Sequence, residues 1–167
     1  TKTVINLCKK NKIKNIIYFS GLGVSKNSRS SYFISKFNAE KQIIDCGLNF
    51  TIFRPSYIIG KDDLFSKNLK KQMKSGEIII PGSGTYSIQP IHVFDVVKVI
   101  FESVSQLKFN NKIIDLVGPD SITYEKYVKL FSKGTTTKIR KINLEDAYHD
   151  AIINPKPLFG IDDLNIL

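Results

Sequence analysis

Apolar residues recur with two different periods along the 167-residue chain, and the switches between them mark its elements. From Thr1 to Asn11 the spacing is helical: Val4, Ile5 and Cys8 share one face and Lys9 and Lys10 lie on the other. Asn15–Ser20 is a continuous apolar run, the pattern of a strand buried on both faces of a parallel sheet. A helix is predicted from Tyr32 to Cys46, with Gly47 as its stop, followed by a β-rich run over Asn49–Arg54 that Pro55 closes. Helix, strand, helix, strand at this spacing predicts βαβ units with right-handed crossovers, an α/β fold with a parallel sheet. Two strands do not make a doubly wound sheet, so further strands are expected upstream of Thr1, and the chain reads as the later part of a larger protein.

The second half alternates less regularly. Asp63–Ser75 reads as a basic helix, Glu77–Pro81 as a short strand and Gly82-Ser83-Gly84 as a turn. Ser87–Val93 is extended, with Pro90 inside it as on an edge strand. Phe94–Gln106 is amphipathic, and its pattern puts Val96, Val97, Ile100, Phe101 and Val104 on the inner face. Lys112–Val117 is a strand, and Thr123 caps a helix to Ser132 with Glu125 in its first turn. Thr135–Ile142 reads as a strand and Asn143–Ile153 as a helix, while the tail after Pro155 carries no periodic signal.

The hydrophobic share is 42% and the charged share 24%, a globular balance that excludes disordered, collagenous and coiled-coil chains. No apolar run approaches the ~18 residues of a membrane span, and no signal peptide opens the chain. Cys8 and Cys46 are too few for a disulfide scaffold and form no Cys-x-x-Cys pair, so neither disulfides nor a metal site is expected, and a reduced, cytoplasmic setting fits. The net charge is +10, carried by 25 basic residues of which three, Arg29, Arg54 and Arg140, are arginines. Nucleic-acid readers favour arginine and aromatic stacking platforms. The lysines therefore read as a solvated surface, and no nucleic-acid partner is expected. Residues 1–74 hold 15 basic and 4 acidic side chains, and the remainder 10 and 11.

Two glycine pairs invite a phosphate-binding reading and fail it. Gly21-Leu22-Gly23 follows a strand, but Lys26 stands where a third glycine belongs and loop follows in place of a helix. Gly82-Ser83-Gly84 is followed by extended residues. Tyr32 and Lys36 form a more informative pair, since residues four apart on a helix lie on one face. An ammonium beside a phenol favours the phenolate, which suits a side chain that exchanges a proton with a carbinol. Arg54, directly before Pro55, reads as structural, its guanidinium satisfying loop carbonyls.

Four segments stand in one order: Asn15–Ser20; Ser31-Tyr32 through Ser35-Lys36 with Glu40; Thr51–Gly60 with Arg54-Pro55-Ser56-Tyr57; and Gln89–Val96. Over about residues 1–132 the chain resembles the extended and atypical short-chain dehydrogenase/reductase superfamily, in its NAD-dependent epimerase/dehydratase and NmrA-like branch. The resemblance implies a Rossmann-like sheet built from residues 1–60 and 87–118, with a smaller α+β substrate-side lobe from 61–86 and 119–167. It implies NAD or NADP as cofactor, a small-molecule substrate with nucleotide sugars among the candidates, and a homodimer. Tyr32 matches the catalytic tyrosine, and Lys36 the lysine that holds the nicotinamide ribose and supports the tyrosine. Pro55, Ser56 and Tyr57 match the segment lining the nicotinamide end of the cofactor. His92, in the fourth segment, reads as a structural histidine. The family places a Ser or Thr about two residues past the strand, where this chain has Leu22; Ser20, just before, is the remaining hydroxyl candidate for the catalytic set. The Ser-Gly-Leu-Gly-Val stretch also resembles the atypical branch that includes the NADPH-binding accessory subunit of respiratory complex I. A cofactor-holding structural or sensor protein without turnover is therefore the alternative to an oxidoreductase or epimerase.

Overall fold

The computed structural model describes all of residues 1–167. In chain order the elements are α1 (Lys2–Lys10), β1 (Asn15–Phe19), α2 (Ser31–Ile44), β2 (Asn49–Pro55), β3 (Ile58–Ile59), α3 (Leu64–Lys74), β4 (Glu77–Pro81) and β5 (Ser87–Ile88). They continue with β6 (Ile91–His92), α4 (Val93–Ser105), β7 (Lys112–Leu116), β8 (Ile122–Thr123), α5 (Tyr124–Phe131), β9 (Lys138–Ile142), α6 (Leu144–Ile153) and α7 (Ile161–Leu164). The expected parallel α/β sheet is present, ordered β1-β2-β7, with Phe19 opposite Phe53 and Phe53 opposite Ile114.

Strand β2 is central, and its period-two alternation builds a core on each side. Ile52 packs with Ile5, Ile43 and Cys46 beneath α1 and α2. Phe53 packs with Ile91, Val96, Phe109 and Leu116 beneath α4. Both β2 side chains are fully buried, and each such burial is worth roughly 1.5–3 kcal/mol. A third core of Leu69, Ile78, Ile80, Ile88, Tyr124 and Val128 joins α3, β4 and α5, beside the parallel pair β4–β9. Short pairs, β3 with β6 and β5 with β8, stitch the segment after the sheet to the segment returning to it.

Helix α4 departs from its sequence pattern. Val96 and Ser103 are buried and Ile100 is half-buried. Val97, Phe101 and Val104, expected inside, are exposed, as is Phe94. A helix presents one stripe to the sheet, here the one through Val96 and Ser103; the neighbouring apolar stripe lies one step around the cylinder with nothing beside it. Strand β1 is likewise the sheet's edge, with one ladder side unpaired. At the N-terminus Ile5 is buried while Val4 is exposed, so the inner face of α1 is narrower than the pattern suggested. The tail without a periodic signal contains α7, a single turn.

Arg54 does not satisfy loop carbonyls. Its Nε and Nη2 donate to the two carboxylate oxygens of Glu40 at 2.9 and 2.6 Å, a fork that ties the end of β2 to the middle of α2. Glu40 is 2% exposed. Burial works to raise its pKa, but the hydrogen bonds from Arg54, the nearby Ser20 hydroxyl dipole and the Arg54 charge outweigh it and hold the carboxyl below its ordinary value of 4.5. A group depressed in this way stabilises the fold fully above the unfolded value and loses that contribution as pH falls through the folded one.

Removing the guanidinium leaves a buried carboxylate without its partner, a loss of about 3–5 kcal/mol. Arg54→Ala is therefore expected to lower the melting temperature at pH 7 by roughly 10 °C. The gap from the parent should narrow as pH falls from 7 toward 3.5, because the orphaned Glu40 of the variant protonates at higher pH than the paired one, which then loses its own contribution below 4.5. A gap that stays constant from pH 7 to 3.5 in thermal melts would show that the ion pair is not the source.

Candidate functional site

Parallel sheets of this kind hold ligands in the crevice outside the carboxyl ends of their strands. Here that crevice is a cleft of about 1030 Å³ walled by Ser20–Gly23, Tyr32, Pro55–Tyr57 and Tyr86–Gln89. The ladder continues past the strands themselves: Ser20 N–H donates to the Phe53 carbonyl at 2.7 Å and Leu22 N–H to the Pro55 carbonyl at 2.9 Å. These bonds hold the loop from Ser20 to Gly23 against the floor made by Pro55 and Ser56.

The structure brings Tyr32, Ser20, Pro55, Ser56 and Tyr57 to this one cleft. Tyr32 sits in the first turn of α2 and is half exposed. Lys36 lies one turn on, outside the cleft wall, with Nζ donating to the Phe19 carbonyl at 2.9 Å. Its ammonium is 5.4 Å from the Tyr32 ring centre and 5.1 Å from that of Tyr18. One donor is thus committed to the end of β1, which fixes the lysine behind Tyr32 and leaves its other donors free. The Ser20 hydroxyl is buried near Glu40, whose carboxyl it helps to hold ionised, and makes no hydrogen bond of ordinary length and angle. Leu22 lines the same wall. Tyr57 is largely buried; burial, then the Asp163 charge, pushes its phenol above the ordinary value of 10.0.

The nicotinamide–ribose end of a dinucleotide would find here a strand-end crevice and lysine donors to spare. No pyrophosphate cradle accompanies them. Gly23, at φ +83°, turns the loop, and helix α2 begins only at Ser31. Gly84, at φ +71°, lies where a Cβ would stand 2.9 Å from the Ile80 side chain, so packing accounts for it. His92 caps α4, its Nδ1 accepting from Phe94 N–H at 3.3 Å.

The sequence did not suggest what positions the first turn of α2. Asp162, in α7, accepts from Ser30 Oγ at 2.8 Å, Ser31 N–H at 2.9 Å and Ser31 Oγ at 2.9 Å. These hydrogen bonds, led by Ser30, hold the Asp162 carboxyl below its ordinary value of 3.8. A carboxylate at a helix N-terminus meets free N–H groups and the positive end of the dipole. Asn165 Nδ2 donates to the Arg29 carbonyl at 3.2 Å, and Tyr148 holds Asn165 in turn. The partners are more than 130 positions apart, beyond the reach of any local pattern; the acidic pair Asp162-Asp163 was the one available signal.

No protein-family model matches the chain. It is 26% identical over 132 residues to the mitochondrial NADH dehydrogenase [ubiquinone] 1 alpha subcomplex subunit 9 of Dictyostelium discoideum, covering 79% of this chain and 37% of that protein. The Arabidopsis thaliana protein of the same name is 28% identical, with 93% and 42% covered. The chain thus spans about two fifths of the length of these relatives. Among solved structures, a nucleoside-diphosphate-sugar epimerase from Staphylococcus aureus superposes with TM-score 0.75 at 17% identity, over 98% of this chain and 56% of the other. A dTDP-glucose 4,6-dehydratase from Bacillus anthracis in complex with NAD gives 0.72 at 15% identity, over 98% and 63%. The chain thus has the Rossmann-like α/β fold of these NAD-dependent epimerases and dehydratases over part of their length, and by sequence it is distantly similar to the NADH dehydrogenase alpha subcomplex subunit 9 proteins.

Proposed function

We propose that the chain supplies the catalytic helix and substrate lobe of an NAD(P)-dependent oxidoreductase or epimerase/dehydratase of the extended or atypical short-chain type. The observation that carries this reading is the placement of Tyr32: a phenol at the mouth of the strand-end cleft, with the Lys36 ammonium locked beside its ring by the Phe19 carbonyl. A nicotinamide, when bound, supplies the hydride acceptor. The protein's part is to hold and move a proton. Tyr32 Oη takes the proton of a substrate hydroxyl, or returns it to a carbonyl oxygen, while Lys36 offers its free donors to a ribose and keeps positive charge near the phenol. Pro55 and Ser56 form the surface against which the ring lies.

The open edge of β1 and the bare stripe Phe94, Val97, Phe101 and Val104 support the view that a glycine-rich Rossmann half completes the sheet. A specific observation favours a second reading, a cofactor-holding protein without turnover. Leu22 stands in the cleft wall where a hydroxyl would steady the substrate oxygen, and the curated relatives include an NADH dehydrogenase subunit.

Two measurements test this. Isothermal titration of the 167-residue chain with NAD(H) and NADP(H) is expected to give dissociation constants weaker than micromolar, because the backbone donors that grip a pyrophosphate are not in this chain. Micromolar affinity would place a phosphate site within it. In the full-length protein, Tyr32→Phe keeps the ring and removes the proton. Turnover should drop by roughly 10²–10⁴ with cofactor affinity little changed, whereas Lys36→Ala should lower both. A Tyr32→Phe protein as active as its parent rejects Tyr32 as the acid/base, and no turnover in either, with cofactor bound, selects the second reading.

A further inference from the structure

The cleft has a side chamber that the catalytic residues do not use. A cavity of about 140 Å³ opens beside it, walled by Phe65, Tyr124, Leu158, Phe159 and Leu164. Tyr57, Tyr86 and Asp163 line both spaces, so the chamber lies directly against the cleft. Its rings are arranged around one another: Tyr57 and Phe65 have centroids 4.8 Å apart, and Tyr86 stacks on Tyr124 at 5.2 Å. Apolar cavities of about 150 Å³ are large enough to take up benzene. The walls also offer neutral hydroxyls. Burial pushes the Tyr57 and Tyr86 phenols up, and that of Tyr124 to about 12, with no hydrogen bond contributing.

Charge points the same way. Of 25 basic side chains, Arg29 alone lines the main cleft, and Asp163 opposes it. In the chamber Asp163 is the one charged side chain, and its carboxylate accepts from Gly160 N–H at 2.9 Å. A diphosphate needs several cations or a set of converging backbone donors to replace its hydration. This surface supplies a single cation, although the chain as a whole is strongly basic.

We propose that the chamber between Tyr57 and Tyr124 is the subsite for a flat apolar ring, and that the ligand of the substrate side is a neutral, ring-bearing small molecule and not a nucleoside diphosphate. The statement that this ligand is a substrate, with its polar end toward Tyr32, rests on the oxidoreductase reading; occupancy of the chamber does not.

The test is a titration of the 167-residue chain, without nicotinamide cofactor, followed in methyl-resolved NMR spectra. Indole is one probe and UDP the other. Indole is expected to give saturable shifts at Leu158, Leu164 and Leu69, and UDP none in the cleft. Leu158→Trp, which fills the chamber, should weaken indole at least tenfold, and the volume-conserving Leu158→Met should retain it. Saturable UDP binding around Arg29, Ser87 and Ser121 overturns the proposal. So do indole shifts mapping elsewhere or undiminished by Leu158→Trp. If the tryptophan variant fails to fold, the shift map of the parent chain decides alone. Because no turnover is read, a negative indole result sinks the ring subsite and leaves the Tyr32 reading to its own assay, while an inactive protein that binds indole in the chamber keeps the subsite and loses the chemistry.

Discussion

The Arg54–Glu40 fork joins the last residue before the cleft floor to the helix that carries Tyr32 and Lys36. A buried carboxylate is tolerated only where its lone pairs are met, so wherever Glu40 goes Arg54 must follow. That requirement fixes the distance between α2 and the end of β2, and with it the spacing between the phenol and the Pro55–Tyr57 segment. The fork is geometrically demanding, since two parallel N–H···O bonds permit little rotation. Lys36 adds a second tie to the end of β1, and the helix is thereby referenced to two neighbouring strands at once.

Much of this was legible in the chain. The apolar runs of β1 and β2 and the helix between them define the parallel sheet, because strands buried on both faces leave an unbroken hydrophobic signature. Tyr32 and Lys36 share a face for the simple reason of helical pitch. What stayed hidden was long-range. Arg54 was recognisable as structural, yet its partner was not, since the sequence shows a guanidinium before a proline and nothing of the carboxylate fourteen positions back that points toward it. The inner face of α4 was overdrawn because its pattern is apolar through two adjacent stripes, and only the presence or absence of a neighbouring element separates them. Asp162 lay in a segment with no period at all.

The charge pattern also separates into two parts. Lysines crowd the outer surfaces of α1 and α3, where they are hydrated and cost little, while the cleft and its side chamber are nearly free of cations. Global net charge therefore describes how the molecule behaves among other molecules and says little about what its cleft receives. The tyrosines around the chamber are neutral phenols, and burial extends that state to higher pH, so the interior remains a place for shape and ring contacts more than for charge.

The clasp of α7 on the first turn of α2 has a temporal side. Ser30 and Ser31 leave the ribosome some 130 residues before Asp162 does, at roughly 5–20 residues per second. For several seconds the helix bearing Tyr32 exists without its terminal anion, and the loop that would close between them is long and slow to find its end. The sheet can pair early, while the mouth of the cleft must wait for Asp162. Tyr32 acquires its setting only once Asp162 has been made, and any shortening of the chain before Asp162 leaves a sheet with an unfinished helix start.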